Sequence, residues 1–263
     1  MRSSETVAAV SLRDRLLIAT CLVLVVALAW AYLIHLDRQV SSAMSYDTMM
    51  AEMGMRGGPP WSPADLFFTF AMWTVMMVGM MAGSAAPMIF LFAGACAGRG
   101  ARGAPLAALM FGSGYLLVWV GFSAAAALAQ WALRAAMLLS PEMAVAPRLG
   151  GAILVGAGLY QLTPIKGACL NHCQSPMGFL MTKWRDGAIG ALQMGVRHGA
   201  YCVGCCWALM SVLFVVGVMN LVWVAALTGV VLIEKVGPGG AVVARLAGAI
   251  MVVAGVLFIA GIA

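Results

Sequence analysis

Residues 16–36 read LLIATCLVLVVALAWAYLIHL, a run of 21 positions without a single Lys, Arg, Asp or Glu. About 18 to 20 apolar residues suffice to cross a hydrocarbon core about 30 Å thick as a helix. Backbone polar groups in lipid are satisfied only in helices or closed barrels, and the length and lack of alternation here select a helix. Arg13 and Arg15 precede the run like the basic head of a signal peptide. The apolar stretch is long for one and lacks a small-residue cleavage site, so it reads as a retained helix. The rest of the chain is of the same kind. Of 263 residues 63% are hydrophobic and 9% charged, against about 25% charged in soluble domains, which excludes a water-soluble fold.

The apolar runs predict an all-α, polytopic transmembrane bundle of about seven helices, forming a single integral membrane domain over 1–263. The helices run from Arg15 to Leu36, Pro63 to Ala95, Ala104 to Leu133, Ala144 to Thr163, Ile189 to Gly217, Met219 to Lys235 and Gly240 to Ala263. From Ile189 to Lys235 the run is too long for one crossing, so it folds back as a tight hairpin. A cytoplasmic N-terminus places Arg2, Arg13, Arg15, Arg99, Arg102, Lys166, Lys183, Arg185, Arg197, Lys235 and Arg245 inside. Arg38, Arg56, Arg134 and Arg148 remain outside, an asymmetry that fits the positive-inside rule. The net charge of +6 is scattered over short loops rather than gathered on one face, which argues against nucleic acid as a partner. No soluble domain or internal repeat is visible, and the two longest connections are a Met-rich outer loop at 37–62 and a Cys-containing cytoplasmic loop at 164–190.

The second helix presents Met76, Gly79, Met80, Gly83 and Pro87 on one face, with Met77, Met81 and Ser84 beside it. Two thioethers one turn apart are thereby offered together, although methionine also fills irregular gaps in cores. The fifth helix carries Met194, His198, Cys202 and Cys205 within about 80° of arc, flanked by Gly195 and Cys206. Taken alone, His198 reads first as a hydrogen-bonded neutral histidine and the cysteines as small core residues, and it is three cysteines within five positions, one turn from the histidine, that turn the reading toward metal. The Gly79–Gly83 and Gly195–Gly199 pairs match in depth, predicting that helices two and five pack antiparallel around a shared site. Soft sulfur donors select Cu(I), zinc or iron–sulfur clusters. Cu(I) suits both Met and Cys, while zinc, the alternative, leaves the thioethers unused.

In the cytoplasmic loop, Cys169 and Cys173 fall on one helical face beside His172, with Cys96 near enough in depth to join them. A redox pair is the competing reading. No cysteine falls in an outer loop, which weighs against a disulfide-generating oxidase. The outer loop instead holds Met44, Met49, Met50, Met53 and Met55 beside Asp47 and Glu52, either a collecting point for Cu(I) or an ordinary interfacial segment. Asp65 and Glu234 lie near helix ends, where solvation is their simplest account. There is no phosphate-binding glycine loop and no Ser-His-Asp arrangement, so the sequence points away from an enzyme.

Three blocks together, Lys166-Gly-Ala-Cys169-Leu170-Asn-His-Cys173-Gln-Ser-Pro176, Gly199-Ala-Tyr-Cys202-Val-Gly204-Cys205-Cys206-Trp207-Ala-Leu-Met210 and Met76-Met77-Val-Gly79-Met80-Met81, resemble the signature of a bacterial family. Its members are predicted metal-binding integral membrane proteins with a domain of unknown function. The resemblance spans roughly Trp61 to Lys235. It implies a multi-pass protein of the bacterial inner membrane and carries suspected ligands onto Cys169, Cys173, Cys202, Cys205 and Cys206. The expected function is binding and trafficking or transport of a soft metal ion, Cu(I) first. The expected ligands are Met76, Met80, His198, Cys202, Cys205, Cys206, Cys169, His172 and Cys173, and the expected partners are the bilayer, the ion, and a metallochaperone or larger membrane complex. Two other classes remain: a membrane thiol or copper oxidoreductase, and a metal-free accessory subunit.

Overall fold

The computed structural model describes residues 11–52, 62–99, 104–136, 138–139, 144–237 and 239–262, with backbone alone for 41–52. In chain order the helices are α1 (Leu12–Glu52), α2 (Pro63–Gly98), α3 (Ala104–Ala135), α4 (Pro147–Gln161), α5 (Pro164–Gln174), α6 (Pro176–Lys183), α7 (Gly187–Ser211), the single turn α8 (Leu213–Val216), α9 (Leu221–Val236) and α10 (Gly240–Ala260). Among the described residues there is no strand, only an isolated bridge between Leu139 and Val145.

Among the described residues, five helices are long and apolar enough to cross a membrane, namely α1 over Leu12–Val40, α2, α3, α7 continued through α8, and α10. A sixth arises if α4 and α5, bent by 63° at their junction, count as one span. By length and composition, five to six of the seven expected spans qualify. The missing one is α9, whose 16 residues extend about 24 Å at 1.5 Å per residue, short of a core about 30 Å thick. Gly217, with φ of 90°, breaks the chain before it. Asn220 then caps it by accepting from the Trp223 amide.

Both predicted long loops are largely helical. The outer loop at 37–62 is helix as far as Glu52, because no Gly or Pro interrupts the chain from Leu12 to that point. Met53 and Met55 lie outside the described residues, as do the side chains of Met44, Met49 and Met50. The cytoplasmic loop at 164–190 folds as α5 and α6, each opened by a proline in its first turn, where the missing N–H costs no hydrogen bond. Thr163 caps α5 by accepting from the Lys166 amide. Asp65 is exposed and completes a capping box with Ser62 at the head of α2, as its place at a helix end implied.

The predicted pairing of the second and fifth membrane helices, α2 and α7, through their glycines is not what the structure shows. Gly79 faces α1, where a Cβ would meet that of Ala29 at 3.3 Å, and nothing approaches Gly83. Gly195 and Gly199 lie against α3 instead: a Cβ on Gly195 would collide with the Phe111 carbonyl, and one on Gly199 would lie 3.1 Å from that of Tyr115. Gly114 of α3 answers from the other side against the Leu192 carbonyl. The reason is steric, since glycine admits whichever backbone comes near and does not specify which one. Helix α3 therefore runs parallel to α7 in close contact, and this seam sets Tyr115 beside Cys202. Helices α4 and α10 make a second glycine seam, antiparallel, with Gly151 against Gly255 and Gly158 against Gly248.

Candidate metal centre

A cavity of about 170 Å³ opens between five elements. Its walls are Ser84, Pro87 and Met88 of α2, Tyr115 of α3, Cys173 and Gln174 of α5, His198 and Cys202 of α7, and Lys235 and Val236 of α9. Pro87 sits inside α2, and without an N–H it removes one i→i+4 bond, to the Gly83 carbonyl, from the ladder near this wall.

Cys202 is the hub. Its sulfur lies 2.7 Å from the Lys235 Nζ and 3.0 Å from the Tyr115 hydroxyl. The Lys235 ammonium also donates to Ser84 Oγ at 3.3 Å and approaches Met81 Sδ at 3.9 Å. The Tyr115 hydroxyl donates to the Met81 carbonyl. One turn further along α7, Cys205 and Cys206 both direct their thiols back to the Cys202 carbonyl, at 3.1 and 2.8 Å. Across the helix boundary, Cys173 of α5 approaches Cys205 to 3.9 Å, sulfur to sulfur. Two sulfurs sharing one ion at tetrahedral angles with bonds of about 2.3 Å stand about 3.8 Å apart, so this pair is spaced as co-ligands are.

His198 is 4% exposed. Its ring is enclosed by Phe111, Tyr115 and Phe179, with each centroid 5.8 Å away. Its Nδ1 is buried without a hydrogen-bond partner. A buried polar atom left unpaired costs about 1–3 kcal/mol, so an imidazole nitrogen in this state at a cavity wall is suited to accept a ligand bond.

The remaining predicted ligands are placed differently. Met76 and Met80 are buried in the core, but the methionine that lines the cavity is Met88, and Met81 brings its sulfur to 3.9 Å from the Lys235 Nζ. Cys169 packs against Gly204 of α7. His172 is exposed, bonded through Nδ1 to the Ala168 carbonyl and stacked on Tyr201 at 4.4 Å. Neither Cys169 nor His172 lines the cavity, and Cys96, buried at the end of α2, does not either. Arg197 is exposed on the far side of α7 from the cavity, beside Lys183 and Arg185. Among the described residues no three His, Cys, Asp or Glu side chains converge to enclose an ion. The thiols are offered in pairs, a donor set that suits a soft ion content with few sulfur ligands.

The sequence reading missed the polar layer beneath the cavity. Lys166 Nζ and Glu234 Oε2 form an ion pair of 2.6 Å whose side chains are 1% and 2% exposed. Gln161 donates to the other Glu234 oxygen at 2.9 Å, and Gln174 donates to the Glu234 backbone carbonyl at 2.6 Å. Glu234 is therefore buried and paired, not solvated at a helix end as expected. The bend at residues 162–163 folds α5 back over α9 and closes off the solvent that a helix end would otherwise meet. A carboxylate in the last turn of an apolar helix was the one available signal, and it does not distinguish the two situations.

The comparisons with known proteins agree with this donor chemistry. No curated protein and no solved structure matches the chain. Residues 70–258, from near the start of α2 to the last turn of α10, match the PpoB2 family, described as copper chaperone. Spanning well over half of the chain and every residue of the cavity, that match places this protein in the PpoB2 copper chaperone family.

Proposed function

We propose that the chain is a membrane-embedded carrier that receives Cu(I) in the cavity between α2, α3, α5, α7 and α9 and passes it to an acceptor protein. It lies in the bacterial inner membrane with its N-terminus in the cytoplasm. Cu(I) is the cargo rather than a resident cofactor. The observation that carries this reading is that Cys202, Cys173, Met88 and His198, whose buried Nδ1 has no hydrogen-bond partner, all line one cavity. A thiol–imidazole–thioether set selects a soft ion. Cys205, 3.9 Å from Cys173, extends the donors toward α5, where Cys169 supplies a further thiol for exchange. The methionines of 44–55 supply, by composition, thioethers that could collect the ion.

The test is anaerobic Cu(I) loading of the full chain in detergent, read by elemental analysis and by X-ray absorption at the copper edge. Wild type should bind copper with sulfur ligation, and Cys202→Ser with His198→Ala should lose it, while Met76→Leu keeps it. Wild type that takes up no copper sinks the proposal. The Cys173–Cys205 approach also fits a redox pair, and a Cys173–Cys205 disulfide trapped in cells, with copper handling intact in Cys202→Ser, would favour an oxidoreductase instead.

A further inference from the structure

Among the described residues, the buried Lys235 has no carboxylate partner. The neighbouring Glu234 is occupied by Lys166 and Gln161, and the partners of Lys235 are Cys202 Sγ at 2.7 Å, Ser84 Oγ at 3.3 Å and Met81 Sδ at 3.9 Å. An ammonium has three donor protons and no acceptor, and here each has one acceptor, from three different residues. Lys235 and Cys202 both line the cavity, so a fixed positive charge stands beside the place where the proposed cargo would lie.

We propose that Lys235 is a specificity-determining residue that selects a monovalent soft ion over a divalent one. This rests on reading the cavity as the copper site. The ammonium repels whatever cation the sulfurs take, and it repels a divalent ion twice as strongly as a monovalent one. In a buried site this difference is little screened. With its nitrogen 2.7 Å from the Cys202 sulfur and a metal–sulfur bond of about 2.3 Å, the charge lies at most about 5 Å from an ion bound there, which at an effective dielectric of about 20 separates the two by a factor of about 300 in affinity. The direction of the bias does not depend on how many thiols bind, because the same thiols attract both ions. Sulfur alone does not discriminate in this way, since zinc and cadmium also take thiolates. The site thus uses donor softness to reject hard ions and a resident charge to reject soft divalent ones.

The experiment uses the full chain in detergent with Ag(I), a monovalent stand-in for Cu(I) that does not change oxidation state, competing against Cd(II). Bound metal is read by elemental analysis after removal of free ions. Wild type is expected to retain Ag(I), and Lys235→Met should shift the Ag(I)-to-Cd(II) ratio toward Cd(II) by a factor of about 300. Lys235→Arg, which keeps the charge, should hold the wild-type ratio. A lysine with only a structural role would lower occupancy by both ions alike and leave their ratio unchanged. An unchanged ratio in Lys235→Met, with wild type loading Ag(I) and Cu(I) normally, overturns this inference and leaves the copper reading standing. Wild type that loads neither Ag(I) nor Cu(I) overturns both. Should Lys235→Met not survive purification, wild type decides alone, because displacement of its Ag(I) by equimolar Cd(II) overturns the selectivity.

Discussion

Glu234 and Lys166 show how much a single buried charge can control. Removing one partner of a buried ion pair strands the other and costs about 3–5 kcal/mol, whereas replacing both with apolar residues is often neutral. Glu234→Gln should therefore unfold at markedly lower temperature in detergent than wild type, and Lys166→Met combined with Glu234→Leu should recover most of the loss. Thermal unfolding of the two single variants and the double variant measures the coupling directly; additive losses would show that the pair contributes nothing. At this scale the sequence was legible where chemistry is carried by residue type. Cys202, Cys173 and His198 stood out because thiols and imidazoles are conspicuous in an apolar chain, and they do line one cavity. Lys235 and Tyr115 did not stand out, since lysine at the end of an apolar helix has an ordinary reading as an interfacial anchor and tyrosine an ordinary reading as core. Met76 and Met80 were selected by helical phase, which gives the face a side chain occupies but not which neighbour covers that face.

Among the elements, the helix–helix seams carry the arrangement of the cavity. Gly195 has the Phe111 carbonyl where a side chain would begin, while Gly83 has open space. Overpacking against backbone costs about 1–3 kcal/mol, and replacing glycine by alanine in an open helical position gains about 0.5–1 kcal/mol. Gly195→Ala should accordingly lower the unfolding temperature and weaken copper binding by moving Tyr115 away from Cys202, and Gly83→Ala should do neither. Comparable behaviour of the two variants would mean that the α3–α7 seam does not position the cavity. The helices themselves were readable from hydropathy to within a few residues, with α2, α3 and α10 close to their expected limits. Their partners were not, because small residues mark that a close approach occurs without naming the approaching helix. The helical character of 37–52 and 164–183 escaped a reading based on apolar runs, since polar helices leave no hydropathy signal.

For the molecule as a whole, the sides on which the two termini lie turn on α9. If this 16-residue helix crosses together with the bent α4–α5 pair, seven crossings put the two termini on opposite sides; if it only dips in and returns, they share a side. Reporter fusions at residue 1 and residue 263 should show the N-terminus inside and the C-terminus outside, and both termini inside would remove α9 from the spanning set. The family match begins at residue 70, leaving α1 beyond it. Helix α1 leans on α2, where Trp30 Nε1 donates to the Gly79 carbonyl at 3.3 Å, and it contributes nothing to the cavity wall. Deleting 1–52 should leave copper stoichiometry unchanged while lowering the amount of protein recovered, and loss of copper from the truncated chain would place α1 in the site.

The joint between α4 and α5 also bears on how a carrier lets go. Cys173 and Cys205 approach to 3.9 Å yet belong to separate helices, and α5 departs from α4 by 63° at a break of two residues. A swing of that short arm would withdraw one sulfur from a shared ion while every donor on α7 stayed in place. Grip would then fall by stages, with the vacated coordination position free for an incoming ligand from the recipient before the last bond to the carrier is broken.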